Sequence, residues 1–322
     1  MPNTRSIALL LAAALAAASA FAQGPRYPER PVRLVIPFTP GGGTDILGRF
    51  LGTRLSAELG QPVVIENVPG ANGLVARQMV ARQPADGHVL MLGSNSTHAI
   101  APVTARESLA DLQRDFAPVT IIAETTLVLA VSPASPLKTL RQYIEASRAK
   151  PLSFGTFGQA SSAHLMGELL SLNGPAPMLH VPYKGSAPAV ADAMGGHIDS
   201  VFLTVAAVSG QVATGKLRAL AVTGERRIAA MPDTPTFAEA GVKGLEDAGW
   251  FALFAPGATP AAVRERVAAT VAKIVAEPDS QKRLSELGLQ PVGSTPERHR
   301  AAWEATLRLV ELIVARTGLK LN

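Results

Sequence analysis

The chain has 322 residues, 47% of them hydrophobic, no cysteine and a formal charge of +5. Lacking cysteine, it has no disulfide, no thiol nucleophile and no thiol for a lipid anchor. The basic excess is spread thinly, with no Lys/Arg run and no interleaved aromatics, which excludes a nucleic-acid surface.

Residues 1–22 have the make-up of an export leader. Met1 to Ser6 carries one cation, Arg5, then Ile7 to Ala18 is unbroken Leu/Ala-rich apolar sequence, and Ala20-Phe21-Ala22 supplies a small-x-small cleavage pattern. A retained anchor is the alternative, but the run is short beside the roughly 20 residues of a membrane span. The expectation is a soluble periplasmic protein beginning near Gln23, cleaved between Ala22 and Gln23, and long enough for two ordinary domains.

From there strand and helix signals alternate. Val32 to Phe38 is a β-rich run ending at Pro40-Gly41-Gly42-Gly43, and a helix is predicted from Thr44 or Asp45 to about Glu58. A strand at Pro62 to Glu66, a turn-rich loop at Asn67 to Gly73, a helix through Val75 and Met79 and a strand at Val89 to Leu92 complete a first βα series. Val119 to Ala123 and Leu127 to Val131 are adjacent extended runs, suited to a crossing between domains. A second series follows: helix Leu140 to Ala149, strand Leu152 to Gly155, helix Ser161 to Leu172, strand Met178 to Val181, helix Ala187 to Met194, and strands Ser200 to Leu203 and Leu217 to Thr223. Trp250 to Ala255 reads as one more strand. In the tail Val263, Val267, Val271 and Ile274 form a helical apolar stripe, Pro278 opens a second helix that Gly288 ends, and Pro296 opens a third.

Short buried strands between helices of about a dozen residues indicate parallel βαβ units. Two such series joined by extended runs predict an α/β protein of two lobes with a cleft between them, lobe 1 from residues 23–122 and 247–322 and lobe 2 from residues 123–246. Ligands in such folds bind beyond strand C-termini, against helix N-termini.

Three loops at such places have binding chemistry. In Pro37 to Asp45 three glycines would let backbone approach a ligand, and the helix behind them offers unpaired N–H groups with partial positive charge. A carboxylate fits there without a cationic side chain, and a plain tight turn fits the same residues, with Asp45 as helix N-cap. Gly93-Ser94-Asn95-Ser96-Thr97-His98 and Gly155-Thr156-Phe157-Gly158-Gln159-Ala160-Ser161-Ser162 are dense in small hydroxyl and amide groups, which serve ligand binding or helix capping equally. His164 and Glu168 lie one helical turn apart, a weak metal pair and more simply a capped or solvated histidine. Gly-x-Ser-x-Gly, His-Glu-x-x-His and Gly-x-Gly-x-x-Gly are all missing from the sequence. A triad assembled across loops from Ser94, Ser161 or Ser162 with His98 or His164 is the enzymatic alternative.

These loops resemble those of the tripartite tricarboxylate transporter substrate-binding receptors, the TctC or Bug family. The likeness runs through Tyr27-Pro28 to Pro31, Pro37 to Asp45, Asn67 to Ala71, Ala85-Asp86-Gly87, Asp115 to Val119, His180 to Gly185, Gly215 to Thr223, Pro232 to Gly241 and Trp250 to Pro260. The resemblance implies a type II-like Venus-flytrap fold that closes on a small mono-, di- or tricarboxylate, aromatic acids included, with no catalytic residue, metal or cofactor. It implies that Phe38, Thr39, Gly43, Thr44, Asp45, Ser94 and Asn95 hold the ligand from lobe 1. Thr156, Gly158, Ser161, Ser162, His164, Tyr183 and Thr204 would face it from lobe 2. Membrane permease subunits are the implied partners, a sensor kinase the alternative, and a monomer the expected state. Many relatives have Phe-Asp-Asn where this chain has Phe202-Leu203-Thr204, which argues against a cationic ligand group, and small residues where Phe157 and Gln159 stand.

Overall fold

A computed structural model describes residues 27–246 and 249–317; the expected leader lies outside them. Two βα series are present. The first comprises β1 (Val32–Ile36), α1 (Gly43–Leu59), β2 (Val63–Asn67), α2 (Leu74–Ala81) and β3 (Val89–Ser94). A π-helical turn (Ser96–Ile100), α3 (Ala101–Thr104) and α4 (Leu109–Asp115) lead into β4 (Phe116–Thr125). The second series comprises β5 (Leu127–Val131), α5 (Leu140–Ala149), β6 (Leu152–Thr156), α6 (Ser162–Asn173), β7 (Met178–Pro182), α7 (Ser186–Gly195), β8 (Ser200–Thr204), α8 (Val205–Ala213) and β9 (Arg218–Val222). The chain then returns through β10 (Trp250–Pro256), α9 (Ala261–Ala276), α10 (Pro278–Glu286), β11 (Leu289–Pro291) and α11 (Pro296–Thr317).

These strands form two sheets, ordered β11-β4-β10-β3-β1-β2 and β7-β6-β8-β5-β9. In each, the βα strands pair in parallel and one strand arriving from the other lobe is antiparallel to its neighbours: β10 beside β3 and β4, β5 beside β8 and β9. The fold is therefore α/β and two-lobed. The chain leaves the first sheet at Thr125 and enters the second at Leu127, so β4 is longer than the extended run at 119–123 predicts.

Both faces of the first sheet are covered. Leu34 and Ile36 of β1 point to a core shared with Leu47, Leu51 and Leu55 of α1 and Val267, Val271 and Ile274 of α9; Val35, between them, points to the other face with Phe254 and the α11 residues Trp303 and Leu307. Buried leucines every four residues make α1 amphipathic. Gly60 ends it in the left-handed region, its N–H on the Ser56 carbonyl. In lobe 2, Phe154, Leu165, Phe202 and Phe237 belong to the same contiguous core as Val128 and Leu129.

The helix α8 has no counterpart among the predicted elements. Its sequence, VAAVSGQVA, is short and rich in residues of low helix propensity, and packing decides it. Among the described residues no helix is long and apolar enough to cross a membrane.

Candidate functional site

The β1–α1 loop is fixed by Asp45. Its carboxylate accepts from the Gly41 N–H (2.9 Å), Arg49 Nε (2.9 Å) and Asn67 Nδ2 (3.0 Å), and Asn67 Nδ2 also donates to the Phe38 carbonyl. Burial pushes this carboxyl up, but the hydrogen bonds from Arg49, Gly41 and Asn67 outweigh it and hold the group below the usual carboxylate range. Asp45 is thus a brace for the loop, and its own charge is neutralised within lobe 1. The N-cap of α1 is Gly42, which brings no side-chain cap, so the first-turn N–H groups are left for another acceptor.

β3 delivers the second loop. Asn95 caps the π-helical turn, its Oδ1 accepting from the Ser96 N–H (3.0 Å). Ser96 then reaches across the lobes: its Oγ donates to Ser162 Oγ (3.0 Å) and accepts from the Ser162 N–H (2.9 Å). Hydrogen bonds also cross the cleft from Asn72 Nδ2 to the Ala160 carbonyl (2.9 Å) and from the Thr39 N–H to the Lys184 carbonyl (3.4 Å). A Cβ at Gly43 would run into the Thr204 hydroxyl, so only glycine lets α1 approach lobe 2 this closely.

Between the lobes lies a narrow cavity of about 10 Å³, room for roughly one water-sized group, so a ligand enters as the lobes part. Of the expected residues, Phe38, Gly43 and Thr44 line it from the first loop, Ser94 and Asn95 from the second, and Ser162 and Thr204 from lobe 2. The N-termini of α1, α6, α7 and α8 all meet here. Among the described residues no charged side chain is part of the lining, and the Thr204 and Thr125 hydroxyls in it are buried without a hydrogen-bond partner. Such hydroxyls and helix-end N–H groups suit the oxygens of an anion.

The remaining expected residues do other work. Thr156 Oγ1 donates to the Gly158 carbonyl and bonds His180 Nε2 (2.7 Å), and Gly158 packs by Asn72. Ser161 caps α6 through the His164 N–H, while the His164 ring stacks on His180 at 3.6 Å and accepts from the Ala160 N–H. Tyr183 donates to Asp192 of α7 (2.6 Å). The Thr39 hydroxyl is buried beside Gly185. None of these lines the cavity. The structure adds Ser96, Ser186, Thr125, Phe157 and Phe251 to the lining. Ser96 and Phe157 stood in loops singled out by composition and Ser186 opens a helix after a glycine; Phe251 has no local signal.

No hydroxyl of Ser94, Ser161 or Ser162 bonds a histidine ring among the described residues. The His98 ring is turned away, stacked on Phe254 at 3.7 Å with Nδ1 on the Thr97 hydroxyl (2.9 Å). A wider groove of about 600 Å³ runs along the hinge strands, lined by Glu124, Glu225, Arg226, Glu246 and Ser285. Its size exceeds that of the interlobe cavity, and Arg227 lines it as well, but Arg227 is paired with Glu239 and the three carboxylates leave the groove poorly suited to an anion. The interlobe cavity is the better candidate on chemistry.

Residues 47–317 match the tripartite tricarboxylate transporter family receptor. The chain belongs to this receptor family. The receptor is 32% identical over 326 residues to protein BugT of Bordetella pertussis, covering all of both chains. Among solved structures it resembles R. palustris Rpa4515 with adipate (35% identity, TM-score 0.87, covering 91% of this chain and 98% of that one). It also resembles MatC (Rpa3494) from Rhodopseudomonas palustris with bound malate (29% identity, TM-score 0.82, covering 89% of this chain and all of that one). The family is one of solute-binding receptors rather than enzymes.

Proposed function

We propose that the receptor captures a small carboxylate between its lobes, in the periplasm after loss of residues 1–22, and presents it to the membrane permease subunits of a tripartite tricarboxylate transporter. One observation carries the reading: four helix N-termini and the hydroxyls of Thr44, Ser96, Ser162 and Thr204 converge on one cavity, with no charged side chain in its lining among the described residues. Partial positive charge without a cationic side chain binds an anion and releases it on reopening. That two similar proteins are described with adipate and with malate supports the same ligand class here.

Oxygens of the ligand would replace the Ser96–Ser162 contact, so the ligand would bond both lobes at once and bias the hinge towards closure. Thermal unfolding of the mature protein against a panel of carboxylates, amides and sugars tests this. Ligand at 100 times its dissociation constant adds about 2.7 kcal/mol, a rise of roughly 5 °C for a chain this long. A shift with one or more acids is expected; a shift confined to uncharged compounds would sink the reading.

A further inference from the structure

Two phenylalanines meet across the cleft. Phe38 belongs to lobe 1 and Phe157 to lobe 2; their rings are edge-to-face, with centroids 5.6 Å apart and planes at 81°. Both line the interlobe cavity and both are buried, at 5% and 8% exposure. The cavity lining thus combines hydroxyls and helix ends with three phenylalanines, Phe38, Phe157 and Phe251, of which the first two meet across the lobes. Parting the lobes separates the pair and leaves two apolar rings in the open cleft.

What closes over those rings must be apolar. A second carboxylate beside them would lose its hydration with no cation or hydroxyl supplied by either ring, and burying an unpaired charge is costly. An ammonium group fares no better. Among the described residues no carboxylate lines the cavity, Thr204 is neutral, Asp45 is held by Gly41, Arg49 and Asn67, and the helix N-termini repel a cation. An aromatic ring has the opposite fit, since offset or edge-on contacts with flanking rings hold over centroid separations of about 4.5–7 Å.

Resting on the carboxylate reading above, we propose that Phe38 and Phe157 are a specificity gate that selects an aromatic monocarboxylate bearing no cationic group. The carboxylate lies against Ser96, Ser162 and the first turn of α1, and the ring lies between the two phenylalanines. Phe157 is the selective member, because it comes with the closing lobe and sets how much apolar volume the closed cleft accepts.

Titration calorimetry on the mature protein tests the gate, with benzoate and phenylacetate against adipate, malate and glutamate, for wild type, Phe157→Ala and Phe157→Leu. Wild type is expected to bind one of the aromatic acids at least about tenfold more tightly than adipate, malate or glutamate. Phe157→Ala should weaken that acid by about tenfold and narrow its lead over adipate, and Phe157→Leu, which keeps apolar volume but no ring, should fall between. Thermal unfolding without ligand checks that each variant is folded. Tighter binding of adipate, malate or glutamate by wild type would overturn the gate and leave carboxylate capture standing. So would an aromatic-acid affinity unchanged in folded Phe157→Ala. Binding of none of the five acids would overturn both.

Discussion

Asp45 and Ser161 carry polar groups at the mouths of binding helices, yet each is engaged in holding its own loop. Their neighbours Thr44 and Ser162 line the cavity instead. Substitution should separate the two roles. Asp45→Ala removes a buried carboxylate that accepts from the Gly41 N–H, Arg49 and Asn67, and urea unfolding should show a loss of about 1–3 kcal/mol, the scale of hydrogen bonds to a charged group. Because the folded carboxyl is held below its ordinary value, its contribution is present above the unfolded-state pKa and is lost as pH falls through the folded one. Ser161→Ala removes an N-cap and should lower stability by about 1 kcal/mol, with a ligand affinity near wild type. Ser162→Ala should do the reverse, weakening carboxylate binding several-fold with little change in the melting temperature. Equal effects of Ser161→Ala and Ser162→Ala on affinity would contradict this division.

At the scale of elements, the site loop after β3 is braced from behind by α11. Trp303 Nε1 donates to the His98 carbonyl (2.6 Å), and His98, Phe254, Trp303 and His299 pack their rings together. Burial, with the charges of Arg77 and His299 beside it, drives the His98 imidazole well below its usual value. Burial and Arg300 push His299 down to about 3. An imidazole depressed in the folded state takes up its proton on unfolding, so its stability contribution is complete above about pH 6.5 and declines as pH falls towards the folded value. Unfolding free energy should therefore drop by about 1.6 kcal/mol between pH 6.5 and pH 5 on account of His299, with His98 adding a drop of the same sign. His299→Phe, which keeps a ring in the same aromatic nest, should flatten the dependence by one proton. An unaltered slope in that variant would show that His299 does not titrate on unfolding.

For the whole molecule, the hydrogen bonds across the cleft include the Ser96–Ser162 pair, Asn72 on the Ala160 carbonyl and Thr39 on the Lys184 carbonyl, beside the ring contact of Phe38 with Phe157. A ligand that bonds both lobes would bias such a hinge towards closure. Close approach at Gly43 is the condition for that closure. Gly43→Ala places a Cβ against the Thr204 hydroxyl and the Ala206 methyl. Its melting temperature without ligand should stay near wild type, while affinity falls by more than about tenfold, since a ligand held by one lobe loses the contacts of the other. Small-angle scattering should show compaction of wild type, and little of Gly43→Ala, on addition of the acid found by thermal shift. Full compaction of Gly43→Ala would remove the steric argument.

Local sequence determined the elements and the chemistry of the cleft. Leu47, Leu51 and Leu55 at helical spacing, the glycines before α1 and the hydroxyl-rich loops after β3 and β6 place helix ends and small polar groups at strand C-termini, because periodicity and turn chemistry are short-range. Which of those groups face the interlobe cavity was decided only in three dimensions. Thr156, His164 and Tyr183 sit in suitable loops, yet each turns to a partner in lobe 2, while Thr125 and Phe251 reach the cavity from strands with no local sign of it. The short helix α8 and the meeting of Phe38 with Phe157 likewise depend on segments far apart in the chain, brought together by burial of apolar surface and by the crossing of the strands at the hinge.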